Sequence, residues 1–145
     1  MNKLTSFYLG SVDDHNRTLD YILNQDDEFW ELCHNYIQWV FPTSEKSMYN
    51  LTVPILLDDD ILYWRTNETI KTKLKESYDR YLLFLVNNQN IWVTKSDHNH
   101  LRISRVLKCL RLSGLDNLAT QLYEFVSTKD EINYSTKEFW KEVMK

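Results

Sequence analysis

Two glycines and two prolines in 145 residues are too few for the tight turns of an all-β protein of this size. Helices joined by polar connectors are what such a chain can build. Cysteine is equally scarce. Cys33 and Cys109 stand apart without metal-ligand spacing, so they read as buried, reduced thiols and exclude a disulfide framework. Long apolar runs are missing too: the longest, Tyr81-Leu82-Leu83-Phe84-Leu85-Val86, falls far short of a bilayer. The apolar start is interrupted by Asp13-Asp14 and no small-residue cleavage site follows, so no signal peptide is read and a soluble, cytoplasmic protein is expected. A strong charge of one sign is also absent. A net charge of −4 excludes the broad basic surface of a general nucleic-acid or anionic-membrane binder and leaves only a local patch for such a role. There is no Gly-rich phosphate loop, nucleophile elbow or paired-carboxylate motif, so no catalytic residue or cofactor is assigned and the reading leans away from an enzyme.

What is present is core material. Hydrophobic residues make up 43% of the chain and aromatics 14%, ample for one domain over 1–145 that needs no metal or disulfide. The patterning predicts an all-α bundle of about six helices, with an irregular segment near 88–96. Leu4 to Leu9 forms an apolar arm or first turn, and Asp13-Asp14 caps a short helix running to about Leu23. Asp26-Asp27 opens a helix that Pro42 closes, with Phe29, Cys33, Tyr36, Ile37 and Val40 on one inward stripe. Thr43 to Tyr49 is a polar connector, followed by a short helix from about Asp59 to Arg65. Asn67 or Thr66 caps a long helix with Ile70, Leu74, Tyr78, Tyr81, Leu82 and Leu85 on one face. Ile91-Trp92-Val93 is an extended link, since a lone strand has nothing to pair with. Asp97 or Ser96 caps the next helix and Gly114 ends it. Further helices run from about Asp116 to Ser127 and from Ser135 to Met144.

Two blocks carry polar groups that could form a site. In His34-Asn35-Tyr36-Ile37-Gln38-Trp39-Val40-Phe41-Pro42, a helical turn of about 100° per residue puts His34 and Gln38 on one edge of the apolar stripe and Trp39 on the far side. His34 and Gln38 can hydrogen-bond a ligand or satisfy buried backbone groups, and the second is the commoner role. In His98-Asn99-His100-Leu101-Arg102-Ile103-Ser104-Arg105-Val106-Leu107, the cations Arg102 and Arg105, with Lys108 and Arg111 beyond them, step around the face opposite Ile103, Val106, Leu107 and Leu110. Lys108 and Arg111 read as solvated. Arg102 and Arg105 sit near the helix start, where the macrodipole disfavours cations, so something must hold them. The alternatives are an internal ion pair, with Asp13, Asp14 or Glu31 as candidates, and an anionic ligand or partner. His98 and His100 do not make half a metal site, because a helical His-x-His splays its rings about 200° apart.

Together the two blocks closely resemble the conserved region of the opioid growth factor receptor family. The resemblance runs from about Phe7 to Leu115, starting with Asp13 or Asp14 and Arg17 and passing through Ser77-Tyr78 and Leu82-Phe84. It departs at Asn35, where an acid is expected, and at Leu85-Val86-Asn87-Asn88, where an aromatic-plus-glycine ending is expected. It implies an all-helical fold and no catalytic residues. The family is named for an animal receptor that binds an enkephalin-type growth factor and acts in growth control around the nucleus. This chain ends soon after the resembling region. Its wealth of Asn, Lys and Ile points to an AT-rich microbial or viral genome, so it reads as a short member to which nuclear trafficking and opioid binding do not carry over.

The leading expectation is a helical module binding an unidentified anionic ligand, peptide or protein. Its site is placed where His34, Gln38 and Trp39 meet Asn99, Arg102 and Arg105. The alternatives are nucleic-acid binding along the basic helix face, and an enzyme with a histidine acid–base group. A cavity uniting both blocks favours the first. A cleft holding two histidines and a carboxylate favours the third.

Overall fold

The computed structural model describes residues 1–48 and 50–145 and is all-α. Tyr49, the last residue of the predicted connector, lies outside the described residues. Ten helical segments rather than about six are present among the described residues, because several connectors close into single turns.

The long helices follow the sequence pattern closely. Helix α6 (Glu68–Asn87) is capped by Asn67, whose side-chain oxygen accepts from the Ile70 amide at 3.0 Å. It buries Ile70, Leu74, Tyr78, Tyr81 and Leu85 as expected, leaves Leu82 half-buried, and adds Ser77 and Phe84. Helix α8 (His98–Leu112) is capped by Asp97, which accepts from the Asn99 amide at 2.9 Å. Gly114, at φ +77°, takes the left-handed turn just past its end. Helices α9 (Asp116–Ser127) and α10 (Tyr134–Val143) pack on α8 and on each other, which makes α8 the spine of this half of the molecule.

The N-terminal half is broken into short pieces: α1 (Lys3–Tyr8), α2 (Leu19–Leu23), α3 (Asp27–Leu32), α4 (Ile37–Val40) and α5 (Asp58–Thr66). The apolar arm is thus a helix, and it lies against α6. Asp13 does not cap α2. Thr18 does, accepting from the Tyr21 amide at 3.1 Å. Asp13 instead folds a tight loop around itself, accepting from the His15 and Arg17 amides and from Arg17 Nε, each at 2.9 Å. The segment near 88–96 contains one more helical turn, α7 (Gln89–Trp92), where an extended link was expected. The buried Trp92 drives that turn inward, and its indole N–H donates to the Leu85 carbonyl at 2.8 Å.

The largest correction concerns the first block. The continuous helix expected from Asp26-Asp27 to Pro42 ends at Leu32 and resumes at Ile37, with Cys33 extended at φ −82°, ψ 128°. Tyr36, Ile37 and Val40 still point inward, so the stripe is kept while the helix is not. The carbonyls that the break releases are taken by a side chain from elsewhere in the chain, described below.

One aromatic-rich core joins both halves. Trp30, Trp64, Trp92 and Trp140 are fully buried, and each indole N–H finds an acceptor: Ile22 carbonyl, Thr5 hydroxyl, Leu85 carbonyl and Ser104 hydroxyl. Cys109 is buried in it, and burial pushes its thiol up to about 12. Cys33 is only half-buried, against the sequence expectation of two buried thiols, and both are unpaired.

Candidate functional site

Arg102 explains the broken helix. It is 6% exposed, and its guanidinium reaches from α8 into the gap between α3 and α4. One terminal nitrogen donates to the Trp30 carbonyl and to Tyr36 Oη at 3.3 Å. The other donates to the Cys33 carbonyl at 2.9 Å and faces the Glu31 carbonyl and His34 Nδ1, each at 3.4 Å. The Tyr36 hydroxyl donates to the same Trp30 carbonyl at 2.5 Å, and the guanidinium lies over the Tyr36 ring at 5.5 Å. An uninterrupted helix would give these carbonyls amide partners. Here they form a cage for one cation. The expected carboxylate partner is replaced by backbone, and the Asp13 carboxylate pairs with Arg17 at 2.8 Å instead.

Arg105, one turn later, is held differently. It donates to the Phe41 carbonyl at 3.3 Å, and among the described residues no carboxylate lies within 4.0 Å of it. Burial pushes its guanidinium below the usual value, opposed by the charge of Glu45. It lines a cavity of about 450 Å³ that brings the two blocks together. His34, Ile37 and Gln38 supply one wall and His98, Leu101, Arg102, Arg105 and Lys108 another, with residues 43–48 as a strap over the side and Phe139 at the edge. Of the six predicted site residues, four line this cavity: His34, Gln38, Arg102 and Arg105. Trp39 turns away into the core, packing on Phe7 at 5.5 Å with its indole N–H unpartnered. Asn99 is fully buried and donates to Glu31 Oε1 at 2.8 Å and Asp97 Oδ2 at 2.9 Å.

The electrostatics favour an anion. Four cations, Lys46, Arg102, Arg105 and Lys108, line the cavity against one carboxylate, Glu45, which pairs with Lys108 at 3.1 Å. Gln38 is 6% exposed and its Oε1 is buried without a hydrogen-bond partner. Its amide can offer either an acceptor or donors to a ligand. Partial burial, Arg102 and His98 hold the His34 imidazole below its ordinary value, which keeps the ring neutral. With Nδ1 turned to the Arg102 donor, the His34 proton sits on Nε2.

The cavity therefore holds two histidines and a carboxylate, the condition set for an acid–base site. The basic nitrogen of His34 is already engaged, however. His34 Nδ1 accepts from Arg102, while His98 faces Glu31 at 3.1 Å and Asp97 at 3.7 Å with its two ring nitrogens. His100 is buried and donates to the Trp92 carbonyl at 2.7 Å. The basic band is engaged at its far end as well. Arg111 reaches Asp116 and the Lys145 carbonyl, so neither it nor Lys108 is simply solvated. Among the described residues, the Asp13, Asp14 and His15 side chains could gather around a metal ion, but they lie in the α1–α2 loop and do not line the cavity.

Lys46, Met48, Leu101 and Phe139 line the cavity without having been read as site residues. Nothing local marks them. Only the strap and the docking of α10 on α8 bring them there.

Comparison with known proteins gives the context of this geometry. The family described as the opioid growth factor receptor conserved region matches residues 6–90. The chain is 26% identical over 125 residues to the opioid growth factor receptor of Rattus norvegicus, covering 73% of this chain and 21% of that protein. It is 28% identical over 127 residues to opioid growth factor receptor-like protein 1 of Mus musculus, covering 74% of this chain and 27% of that protein. The chain thus spans well under two thirds of the length of these relatives. No solved structure matches it. The family match takes in the first block and stops before α8, so Arg102 ties a segment outside the match to one inside it.

Proposed function

The chain belongs to the family of the opioid growth factor receptor conserved region, and from that premise we propose that it is a helical binding module for an anionic group. The observation that carries the reading is Arg105: a largely buried guanidinium with one carbonyl partner, facing a cavity whose cations outnumber its carboxylate. Such a group is stabilised by an anion more than by anything the chain itself offers it. The unpartnered Gln38 amide in the same wall gives a second point of attachment.

The name of the rat relative refers to a growth-factor ligand of that protein. What is proposed here is narrower: the shared region supplies a recognition surface, and in this chain the surface is built for negative charge. Binding is favoured over acid–base chemistry because the His34 Nδ1 lone pair accepts from Arg102 and the carboxylate of the cavity, Glu45, pairs with Lys108 and not with a histidine. It is favoured over a nucleic-acid track because Arg102 and Arg111, at the two ends of the helix face, are engaged with protein groups, which leaves a local cluster and not a continuous basic stripe.

The test is a titration with inorganic phosphate at constant ionic strength, followed by backbone amide chemical shifts. Saturable shifts confined to 34–48 and 98–108, and lost in Arg105→Gln, are expected. Shifts that sodium chloride reproduces, or that survive the substitution, overturn the reading.

A further inference from the structure

We infer that the natural ligand of this cavity is a small amphiphilic acid: one carboxylate, phosphate or sulfate head on an aliphatic or aromatic body, with Glu45 as the chain's own competitor for the head. The inference rests on the cavity being the binding site and names what that site takes.

Three observations set the class. First, four cations share the lining with four large apolar side chains. Leu101 and Phe139 are 58% and 48% exposed at this one opening, and Ile37 and Met48 line the same space. Large apolar side chains left open around a charged cluster fit a ligand with an apolar body better than a bare ion. Second, head and body positions adjoin, since Lys108 Nζ lies 5.2 Å from the centre of the Phe139 ring. An anion paired with Lys108 therefore lays its attached chain against Phe139. Third, the positive lining is local. A neighbouring groove of about 370 Å³ shares Thr43, Glu45 and Lys108, but its further cations are occupied. Arg65 donates to the Leu112 carbonyl at 2.8 Å and to the Arg111 carbonyl at 3.3 Å, and Arg111 pairs with Asp116. A polyanion would find one cationic pocket and then no continuation. A cavity of about 450 Å³ is of small-molecule size.

Glu45 supplies the competition. It is the one carboxylate among the described residues lining the cavity, its side chain is 68% exposed, and it sits 3.1 Å from Lys108 on the strap. The strap is held in part by local bonds, Thr43 Oγ1 to the Glu45 backbone and Lys46 Nζ to the Leu51 and Val53 carbonyls. An ion pair that exposed is worth little, so a ligand head can displace it.

The experiment compares decanoate, decyl phosphate, decanol, acetate and inorganic phosphate, each below its aggregation range, by the methyl resonances of Met48 and Ile37. Decanoate and decyl phosphate should saturate both signals, with acetate and decanol each about tenfold weaker, the loss expected for removing either the apolar body or a charge-assisted contact. Arg105→Gln should weaken decanoate about tenfold and leave decanol unchanged, whereas Glu45→Gln should tighten decanoate about threefold. Lys108→Gln repeats the head test should Arg105→Gln fold poorly. Leu101→Asn, at an exposed position, should weaken decanoate binding and spare inorganic phosphate. If inorganic phosphate binds with Arg105 dependence but decanoate is no tighter than acetate, the ligand class is overturned while the anion-binding reading stands. Decanol binding as tightly as decanoate overturns the class as well. If no anion binds with Arg105 dependence, both fall.

Discussion

Arg102 and Arg105 are the same residue type, one turn apart on one helix, and they do opposite things. At the Arg102 end, the first block has given up its helix so that three carbonyls and a tyrosine hydroxyl can receive the guanidinium. At the Arg105 end a single carbonyl does so, and the side chain lines a cavity. Neither arginine has a carboxylate within ion-pair distance among the described residues. What separates a strut from a recognition group here is the number of acceptors the fold supplies, because a buried cation with full hydrogen bonding is framework and one with empty donors is a site.

The sharpest break of that comparison is the removal of each arginine in turn. Arg102→Ala should cost about 3 kcal/mol or more in urea unfolding, because it strands the Cys33 carbonyl, leaves the Trp30 carbonyl to the Tyr36 hydroxyl alone and empties a filled gap between α3 and α4. Arg105→Ala should cost about 1 kcal/mol or less, since one carbonyl contact is lost while an uncompensated charge is also relieved. Equal losses at the two positions would show that the distinction drawn from acceptor count is wrong.

A smaller effect comes through His34, which touches the Arg102 side of the cavity. Its folded-state value is depressed, so the unfolded chain takes up a proton first as pH falls below about 6.5. The stability that neutral His34 contributes is whole above that point and is lost as pH falls through the depressed folded value. His34→Gln should flatten the stability–pH curve between pH 8 and 5, and an unchanged curve would remove His34 from the account. Protonation also adds a positive charge beside Arg102, so sulfate, whose own charge is constant over this range, should gain more affinity as pH falls in the parent than in the variant.

The smallest effect is at Glu45. Glu45→Gln should change the unfolding free energy by no more than about 0.5 kcal/mol, because its ion pair with Lys108 is largely exposed. A larger loss in urea unfolding would make the strap part of the framework and leave it unable to yield to a ligand.

The fold was legible wherever the signal is local. Asn67 and Asp97 cap helices where the sequence places them, Gly114 turns the chain after α8, and α9 starts at Asp116 as read. Those features are set within a few residues, by side chains reaching amides two or three positions on at Asn67 and Asp97 and by backbone freedom at Gly114. The break at 33–36 was not legible, because the apolar stripe from Phe29 to Val40 suits an unbroken helix and nothing nearby argues against it. The cause lies about 70 residues on, in Arg102. Four of the six expected site residues line one cavity, since both blocks point the same polar edge inward. Trp39 and Asn99 lie elsewhere because the altered chain path after Cys33 aims Trp39 at Phe7 and because Glu31 claims Asn99.

The sequence by itself determined that this chain is all-helical, which residues make its core, and which family it resembles, since composition, periodicity and capping act over a few residues each. Tertiary structure alone decided where a helix must break, which arginine is framework, and where charge is left over. Those outcomes turn on how many acceptors converge on a buried cation, and convergence is a property of packed elements that no short stretch of sequence contains.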